Sequence, residues 1–295
     1  MNKDIEFKLI TFLFSMIPIS MIIGQAVSLI NILLISIFII IKIIKSKKFY
    51  FLKNISFILI IVIFLYLLFN TFISLDKNIS FLRNFGFFRF IFLFIAINYF
   101  FYIYRNQNFY FKIWTLVILI VIFDTYIEYI FGKNILGYGQ DIYADRVVSF
   151  FKDEPIVAGY LNGFFFLILG YLFNNKNSKN NNIFIVCIIL SFLFLICVSL
   201  TGERSNTIKA IIGLSIFFLF NNRLKIKYKI LTFLSLVIII VTTISNSGYL
   251  KYRYYENIIN PIINGDKREK FLNNNIYIRH YKSGYAVFKN YPLFG

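Results

Sequence analysis

Long apolar runs separated by short polar segments dominate the chain. Four of these runs, at 55–73, 113–131, 183–200 and 230–244, each contain at most two strongly polar side chains. Their apolar positions are continuous rather than alternating, which predicts helices and not strands. The hydrocarbon core of a bilayer is about 30 Å thick and needs roughly 20 helical residues. The runs therefore predict helices that cross a membrane.

The full pattern predicts an all-α, polytopic transmembrane helix bundle of about nine spans. The predicted spans are 9–23, 26–44, 55–73, 85–104, 113–131, 155–173, 183–200, 206–220 and 229–245. We place a break at Gly24-Gln25 because one helix over residues 9–44 would be about 54 Å long, and we expect Pro18 to bend the first span. Residues 1–245 form the predicted bundle. Residues 246–295, which are polar and Tyr-rich, form part of a large extracytoplasmic loop.

Composition excludes a soluble globular domain. The chain of 295 residues is 59% hydrophobic and 15% charged, whereas soluble domains carry about 25% charged residues. The net charge is +18, and the lysines and arginines that produce it lie between the apolar runs rather than on one face. This distribution argues against nucleic acid as a partner. Cys187 and Cys197 are ten residues apart in one run, so we expect two unbridged, apolar-packed thiols.

Loop charges predict the orientation. Fifteen lysines and arginines lie in segments on one side of the predicted spans, against six on the other. The positive-inside rule places the richer side in the cytoplasm, so the poorer side and residues 246–295 face outward. Within that outer segment, Ile278, Tyr281, Tyr285 and Phe288 share one face of a predicted helix from Ile276 to Asn290. We expect this amphipathic helix to lie on the outer membrane surface.

Several kinds of chemistry lack the residues they need. The chain has one histidine, which excludes a multi-histidine metal site. It contains no Asp-x-Asp pair, which argues against a metal-dependent nucleotide-sugar site. Gly137-Tyr-Gly139 lacks the third glycine of a dinucleotide loop and predicts a turn. The sequence therefore predicts no metal and no cofactor.

Charged residues collect on the predicted outer side. The loop over 131–155 contributes Asp141, Asp145, Arg146, Lys152, Asp153 and Glu154; the turn at 201–205 contributes Glu203 and Arg204; the last segment contributes Arg279, His280 and Lys282. An arginine beside apolar walls suits a lipid-linked phosphate, because guanidinium gives bidentate hydrogen bonds to phosphate oxygens. The alternative is a set of ordinary solvated turn charges, with Arg204 paired to Glu203.

Two acids lie inside the fifth predicted span. Asp124 and Glu128 are four residues apart and share a helix face. Because an acid deep in lipid costs about 2.5–3.5 kcal/mol, this face is expected to look onto a cavity or a partner such as Arg89. A structural ion pair and a functional site are both open. His280, next to Arg279, is either a surface residue or a general base.

Several short motifs, in the expected order and on the expected side of the membrane, resemble those of a known superfamily. They are 124–138, 146–154, 159–161, the Thr-Gly-Glu-Arg-Ser turn at 201–205, and Phe-Lys-Asn-Tyr-Pro-Leu-Phe-Gly at 288–295. Together they resemble the O-antigen ligase and polymerase superfamily, over residues 75 to the end. The resemblance implies a bundle with a large periplasmic loop in the bacterial inner membrane, without metal or nucleotide.

The resemblance also implies an activity in lipopolysaccharide or other cell-envelope polysaccharide biosynthesis. Members move a glycan from an undecaprenyl-pyrophosphate carrier to lipid A core or to another carrier-linked glycan. By this likeness Arg146 and Arg204 hold the pyrophosphate, with Arg279 a looser match. Asp124, Glu128, Asp153, Glu154 and Glu203 are expected to be supporting polar residues.

One departure concerns the catalytic base. The family histidine lies beyond the Pro-x-x-Gly segment, whereas His280 precedes Pro292, so that role does not transfer to His280. The chain is therefore expected to be an amino-terminal fragment whose base is missing. The alternatives are a non-enzymatic multi-span transporter, with Asp124, Glu128 and Arg89 lining a polar path, and an envelope-assembly membrane protein without chemistry of its own.

Overall fold

The computed structural model describes residues 3–47, 49, 54–74, 76–103, 108–139, 146–152, 154–174, 181–220, 225–264, 268, 271–273 and 275–292. Within these ranges the chain is helical, apart from loops and one isolated antiparallel bridge between Lys133 and Gly139. The prediction of an all-α fold is confirmed. The helices are α1 Lys3–Ser15, α2 Ile17–Ile23, α3 Gln25–Ser46, α4 Ile55–Ile73, α5 Lys77–Phe85, α6 Phe88–Ile103, α7 Asn108–Phe131, α8 Val157–Asn174, α9 Asn181–Leu200, α10 Arg204–Leu219, α11 Ile226–Ser245, α12 Gly248–Leu250, α13 Asn260–Ile263 and α14 Ile276–Asn290. A π-helical segment, Lys251–Ile259, joins α12 to α13.

Five helical stretches of the described residues are long and apolar enough to cross a membrane: Gln25–Ser46, Ile55–Ile73, Lys77–Phe101, Phe109–Phe131 and Ile226–Ser245. The third of these takes α5 and most of α6 together. A sixth is obtained if the pair Ile5–Ser15 and Ile17–Ile23, bent by 46°, counts as one span. The protein is thus a helical membrane protein. The apolar helices Val157–Phe173 and Ile185–Leu200 are shorter, and the count of nine spans stays a prediction.

Sequence signals explain several helix boundaries. Gly24 takes φ 150°, and α3 begins at the next residue, which confirms the predicted break. Pro18 lies at the start of α2, just after the bend; there proline needs no amide hydrogen. The side chain of Asn54 accepts the Ser56 amide at the start of α4, and that of Asp76 accepts the Ile79 amide at the start of α5. These caps satisfy amides that helix geometry leaves without partners.

The chain divides into two compact units. The first contains residues 1–110 and 276–295, and the second contains residues 111–275. This division follows contacts within the chain, whereas the predicted boundary at residue 245 concerns membrane and outer loop. The latter boundary stays a prediction.

In the first unit, α3 packs against α1, α2 and α6, and α4 packs against α5 and α6. Phe14 of α1 and Phe100 of α6 stack with ring centroids 4.2 Å apart. A few polar bonds cross between helices: Asn84 donates to the Leu67 carbonyl at 2.9 Å and to Thr71 Oγ1 at 3.0 Å. Between apolar surfaces such bonds fix which faces meet.

In the second unit, α8, α9 and α10 pack against one another, and α11 packs against α9 and α10. Phe165 of α8 stacks on Phe194 of α9 at 3.9 Å. Gly213 of α10 lies so close to the Phe166 ring that an added Cβ would meet it at 2.4 Å. Cys187 and Cys197 of α9 are both free and buried, as predicted. This packing brings the first turns of α8 and α10 together.

Candidate functional site

The end of α7 carries the acidic anchor, which we define as Asp124 and Glu128. Both side chains are fully buried. Glu128 accepts the Val148 amide at 3.0 Å and the Ser149 amide at 2.5 Å. Asp124 accepts the Ile135 amide at 2.9 Å and the Ser149 hydroxyl at 2.6 Å. The two carboxylates thus hold both ends of the loop that follows α7.

The loop is further fixed by Asn134. Its side-chain nitrogen donates to the Ser149 carbonyl at 2.6 Å, and its oxygen accepts the Leu136 and Tyr138 amides. Ser149 has φ 48°, an uncommon backbone conformation for a non-glycine residue. Four hydrogen bonds stabilise this conformation: three are made by Ser149 and one by the amide of Val148.

The acidic anchor accounts for the two acids inside the predicted fifth span. Among the described residues, all their hydrogen bonds come from amides and one hydroxyl of the loop. The suggested partner Arg89 belongs to the first unit, where it is exposed and lies 4.9 Å from the Phe90 ring centroid. The described contacts give both residues a part in holding the loop, which differs from the ion pair considered from the sequence.

A second acid organises the turn between α9 and α10. Glu203 Oε1 accepts the Ala158 amide at 2.8 Å, and Oε2 accepts the Asn206 side-chain amide at 2.6 Å. Asn162 of α8 in turn donates to the Asn206 carbonyl at 2.9 Å. Glu203 therefore links the first turn of α8 to the first turn of α10. The alternative of a Glu203–Arg204 pair stays a prediction.

The π-helical segment contacts the same turn through Arg253. Its Nε donates to the Gly202 carbonyl at 2.7 Å, and Nη1 donates to the Tyr249 hydroxyl at 3.2 Å. Gly202 has φ +70°, and an added Cβ there would meet Arg253 and Tyr249 at 3.3 Å. A glycine in this left-handed conformation thus lets the arginine lie directly on the turn.

Tyr254 of the π-helical segment contacts α10, the helix that begins at Arg204. Its hydroxyl lies 2.9 Å from Thr207 Oγ1, which is itself buried. Burial raises the pKa of Tyr254, while the Thr207 hydrogen bond and then the charges of Arg253 and Arg204 lower it. Both guanidinium groups therefore act electrostatically on one phenol.

Arg146 completes what we call the arginine cluster: Arg146, Arg204 and Arg253. Burial raises the pKa of Glu203; the Ala158, Asn206 and Gly159 hydrogen bonds and the charge of Arg146 lower it. Arg146 and Arg204 are both half-buried. Guanidinium groups that lie beside one turn attract anions.

The other predicted residues are exposed or lie outside the described ranges. Asp141, Asp145 and Asp153 lie outside the described residues. Glu154 is described and exposed. Arg279 and His280 are exposed on α14, which belongs to the first unit. The assignments of Asp153, Glu154 and Arg279 to a site therefore stay predictions.

Arg253, Tyr254 and Asn206 were not predicted from the sequence as part of the site. A signal for the first two was present, because Arg253 stands in a stretch with four tyrosines, at 249, 252, 254 and 255, on the predicted outer side. Asn206 carried no signal, because an asparagine in the first helical turn is commonplace. Its role depends on Glu203 and Asn162, which a linear pattern does not bring together.

The described residues contain no group of three or more histidine, cysteine, aspartate or glutamate side chains arranged to hold a metal ion. Comparison with protein-family models, curated proteins and solved structures finds no match for this chain. The geometry of the cluster and the sequence motifs are therefore the basis for a functional proposal.

Proposed function

We propose that the protein is a membrane glycan transferase of the O-antigen ligase or polymerase type. Its substrates would be an undecaprenyl-pyrophosphate-linked glycan and a lipid or glycan acceptor, at the periplasmic face of the bacterial inner membrane. The observation that carries the proposal is the bond from Arg253 to the Gly202 carbonyl, which sets a guanidinium on the same turn from which Arg204 begins α10. Guanidinium groups beside apolar surface match a ligand that combines a diphosphate with a lipid tail.

In this mechanism the acceptor hydroxyl displaces the carrier pyrophosphate from the anomeric carbon. The new bond joins acceptor oxygen to sugar carbon, the sugar–pyrophosphate bond breaks, and the proton leaves the acceptor hydroxyl for a base. The arginine cluster would stabilise the charge that develops on the departing diphosphate. Binding both substrates beside one another would contribute proximity. None of the described residues is assigned as the base.

Glu203 would act as a positioning residue in this scheme. Its two oxygens are engaged by Ala158 and Asn206, so it holds the turn that carries Arg204 rather than meeting the substrate. Arg253 is held by one bond to the Gly202 carbonyl and one to Tyr249. Its remaining N–H groups are donors available for phosphate oxygens.

The contacts of Asp124 and Glu128 argue against the alternative of a transporter. It required Asp124 and Glu128 to line a polar path, whereas both carboxylates accept hydrogen bonds from the loop after α7. A carboxylate so engaged would have to release backbone donors before binding a transported cation, and leaving those donors unpaired is costly.

The test is binding of undecaprenyl pyrophosphate to the purified chain in lipid nanodiscs, with undecaprenyl phosphate as the comparison ligand. Arg146→Gln, Arg204→Gln and Arg253→Gln should each weaken pyrophosphate binding by about 10–100-fold, from the loss of charged hydrogen bonds. Arg89→Gln is the matched control and should bind as the wild type does. Equal binding by all four variants would refute the phosphate role.

A further inference from the structure

The last described helix, α14, has two kinds of residue on its surface. Ile276–Asn290 contains Arg279, Lys282 and Lys289 and no acidic residue. Tyr281, Tyr285 and Phe288 are 79%, 68% and 59% exposed. Their spacing of four and three residues places them on one face of the helix. At 100° per residue, Lys282 and Lys289 border that aromatic face.

The helix is too exposed to owe its stability to packing. Every residue from Arg279 to Asn290 is exposed, and Gly284 lies in its middle. An isolated helix of about 15 residues is marginal in water, and an internal glycine lowers its stability by about 1 kcal/mol relative to alanine. An amphipathic surface that takes up the aromatic face would supply the missing stabilisation.

We propose that α14 binds the surface of a bilayer containing anionic lipids, with Tyr281, Tyr285 and Phe288 in the interface and Lys282 and Lys289 at the headgroups. Tyrosine is enriched at membrane–water interfaces because its ring is apolar and its hydroxyl polar. Anionic headgroups complement a helix with basic and no acidic side chains. This surface is independent of the arginine cluster and would exist whatever reaction the protein catalyses.

The experiment uses the full chain in nanodiscs, with Cys187 and Cys197 replaced by alanine and one new cysteine added. Tyr285→Cys places a fluorescent label on the aromatic face, and Ser283→Cys places it on the opposite face as the matched control. Discs contain either phosphatidylcholine alone or phosphatidylcholine with phosphatidylglycerol, each with brominated acyl chains as quencher. In the anionic discs, quenching is expected at position 285 and not at position 283.

Charge removal tests the lipid preference. Lys282→Gln with Lys289→Gln should shift the equilibrium between bound and released helix by roughly 30-fold, from the contribution of each lysine at an anionic surface. Lys225→Gln with Lys227→Gln, which changes two exposed lysines at the start of α11, should leave quenching unaltered.

Three outcomes would overturn the proposal. A label at 285 that is never quenched and stays accessible to water shows that the helix does not meet the bilayer. A label that is shielded from water but not quenched shows that protein, such as a second copy, covers the face. Equal quenching with and without phosphatidylglycerol refutes the requirement for anionic lipid.

Discussion

Two acidic regions of the second unit differ in what surrounds them. The acidic anchor receives hydrogen bonds from loop amides and one hydroxyl. Glu203 also accepts hydrogen bonds from an amide and a side chain, but the charge of Arg146 acts on it and Arg204 follows it in sequence. Burial of a carboxylate therefore does not by itself mark a functional site in this protein. Among the described residues, what separates the two regions is the presence of arginines beside Glu203.

The largest expected effect is from Glu128→Ala in the acidic anchor. The change leaves two buried amides, of Val148 and Ser149, without their acceptor. At about 1–3 kcal/mol for each unsatisfied donor, the free energy of unfolding should fall by about 2–6 kcal/mol. Thermal unfolding in detergent, followed by circular dichroism, measures the loss.

Glu128→Gln is the control for this prediction. Its amide oxygen still accepts one of the two N–H groups, so it should unfold at a temperature between those of the wild type and the alanine variant. If Glu128→Ala unfolds at the wild-type temperature, the anchor does not hold the loop and the comparison between the two acidic regions fails.

The next largest effect is expected from Gly202→Ala. The residue has φ +70°, and the new Cβ would meet Arg253 at 3.3 Å. A left-handed conformation costs a non-glycine residue about 1–2 kcal/mol, and displacement of Arg253 should also weaken pyrophosphate binding. The unfolding temperature and the nanodisc binding assay measure the two effects.

Gly163→Ala in α8 is the matched control, because nothing lies within 4 Å of its added Cβ. It should be neutral or stabilise the helix by up to about 1 kcal/mol. A Gly202→Ala variant that behaves like Gly163→Ala would show that the turn is not constrained as described.

A smaller effect is expected from Tyr254→Phe. The change removes the hydrogen bond to Thr207 and little volume, so the free energy of unfolding should fall by about 0.5–1.5 kcal/mol. Tyr252→Phe, at an exposed tyrosine of the same segment, is the control and should be neutral. Equal unfolding temperatures for the two variants would contradict the assigned bond.

The subtlest effect is the pH dependence contributed by Glu203. Burial raises its pKa above the ordinary 4.5, so the folded chain holds this proton more tightly than the unfolded chain. That contribution to stability is complete below pH 4.5 and is lost as pH rises through the raised pKa. The unfolding temperature of the wild type should therefore fall, relative to that of Glu203→Gln, as pH rises above 4.5.

Arg146→Gln sharpens the same measurement. The charge of Arg146 lowers the pKa of Glu203, so removing it should extend the fall to higher pH. Pairing Arg146→Gln with the double variant Arg146→Gln, Glu203→Gln isolates the titration of Glu203. If this difference falls over the same pH range as the difference between the wild type and Glu203→Gln, Arg146 lies too far away to act on Glu203.

Sequence patterns predicted the helices better than their contacts. Long apolar runs predict helices because only helices satisfy the backbone in lipid along a single segment. The break at Gly24 and the bend near Pro18 followed from one residue each. The helix Ile276–Asn290 was predicted with its observed bounds, since its apolar positions repeat at helical spacing. The π-helical segment was not predicted, because its residues show no pattern that separates it from an α-helix.

The candidate site was only partly predictable for the same reason. Charge and predicted side point to Arg146, Glu203 and Arg204, and the charge of Arg146 lowers the pKa of Glu203. The bond from Arg253 to Gly202 joins residues 51 positions apart, and no periodicity states which helix end lies beside which. A linear pattern does not show where a loop returns, so the sequence alone does not decide the role of Asp124 and Glu128.

Ser149 has a consequence for which residues its position tolerates. The backbone there has φ 48°, which glycine adopts freely, while the side chain must also supply the hydroxyl that reaches Asp124. Glycine meets the first demand and loses the second. Threonine supplies a hydroxyl, but its branched Cβ is poorly suited to positive φ. Few of the twenty amino acids satisfy both conditions, so exhaustive substitution at this position should retain a much narrower set than at Glu154, which is exposed and has no positive φ.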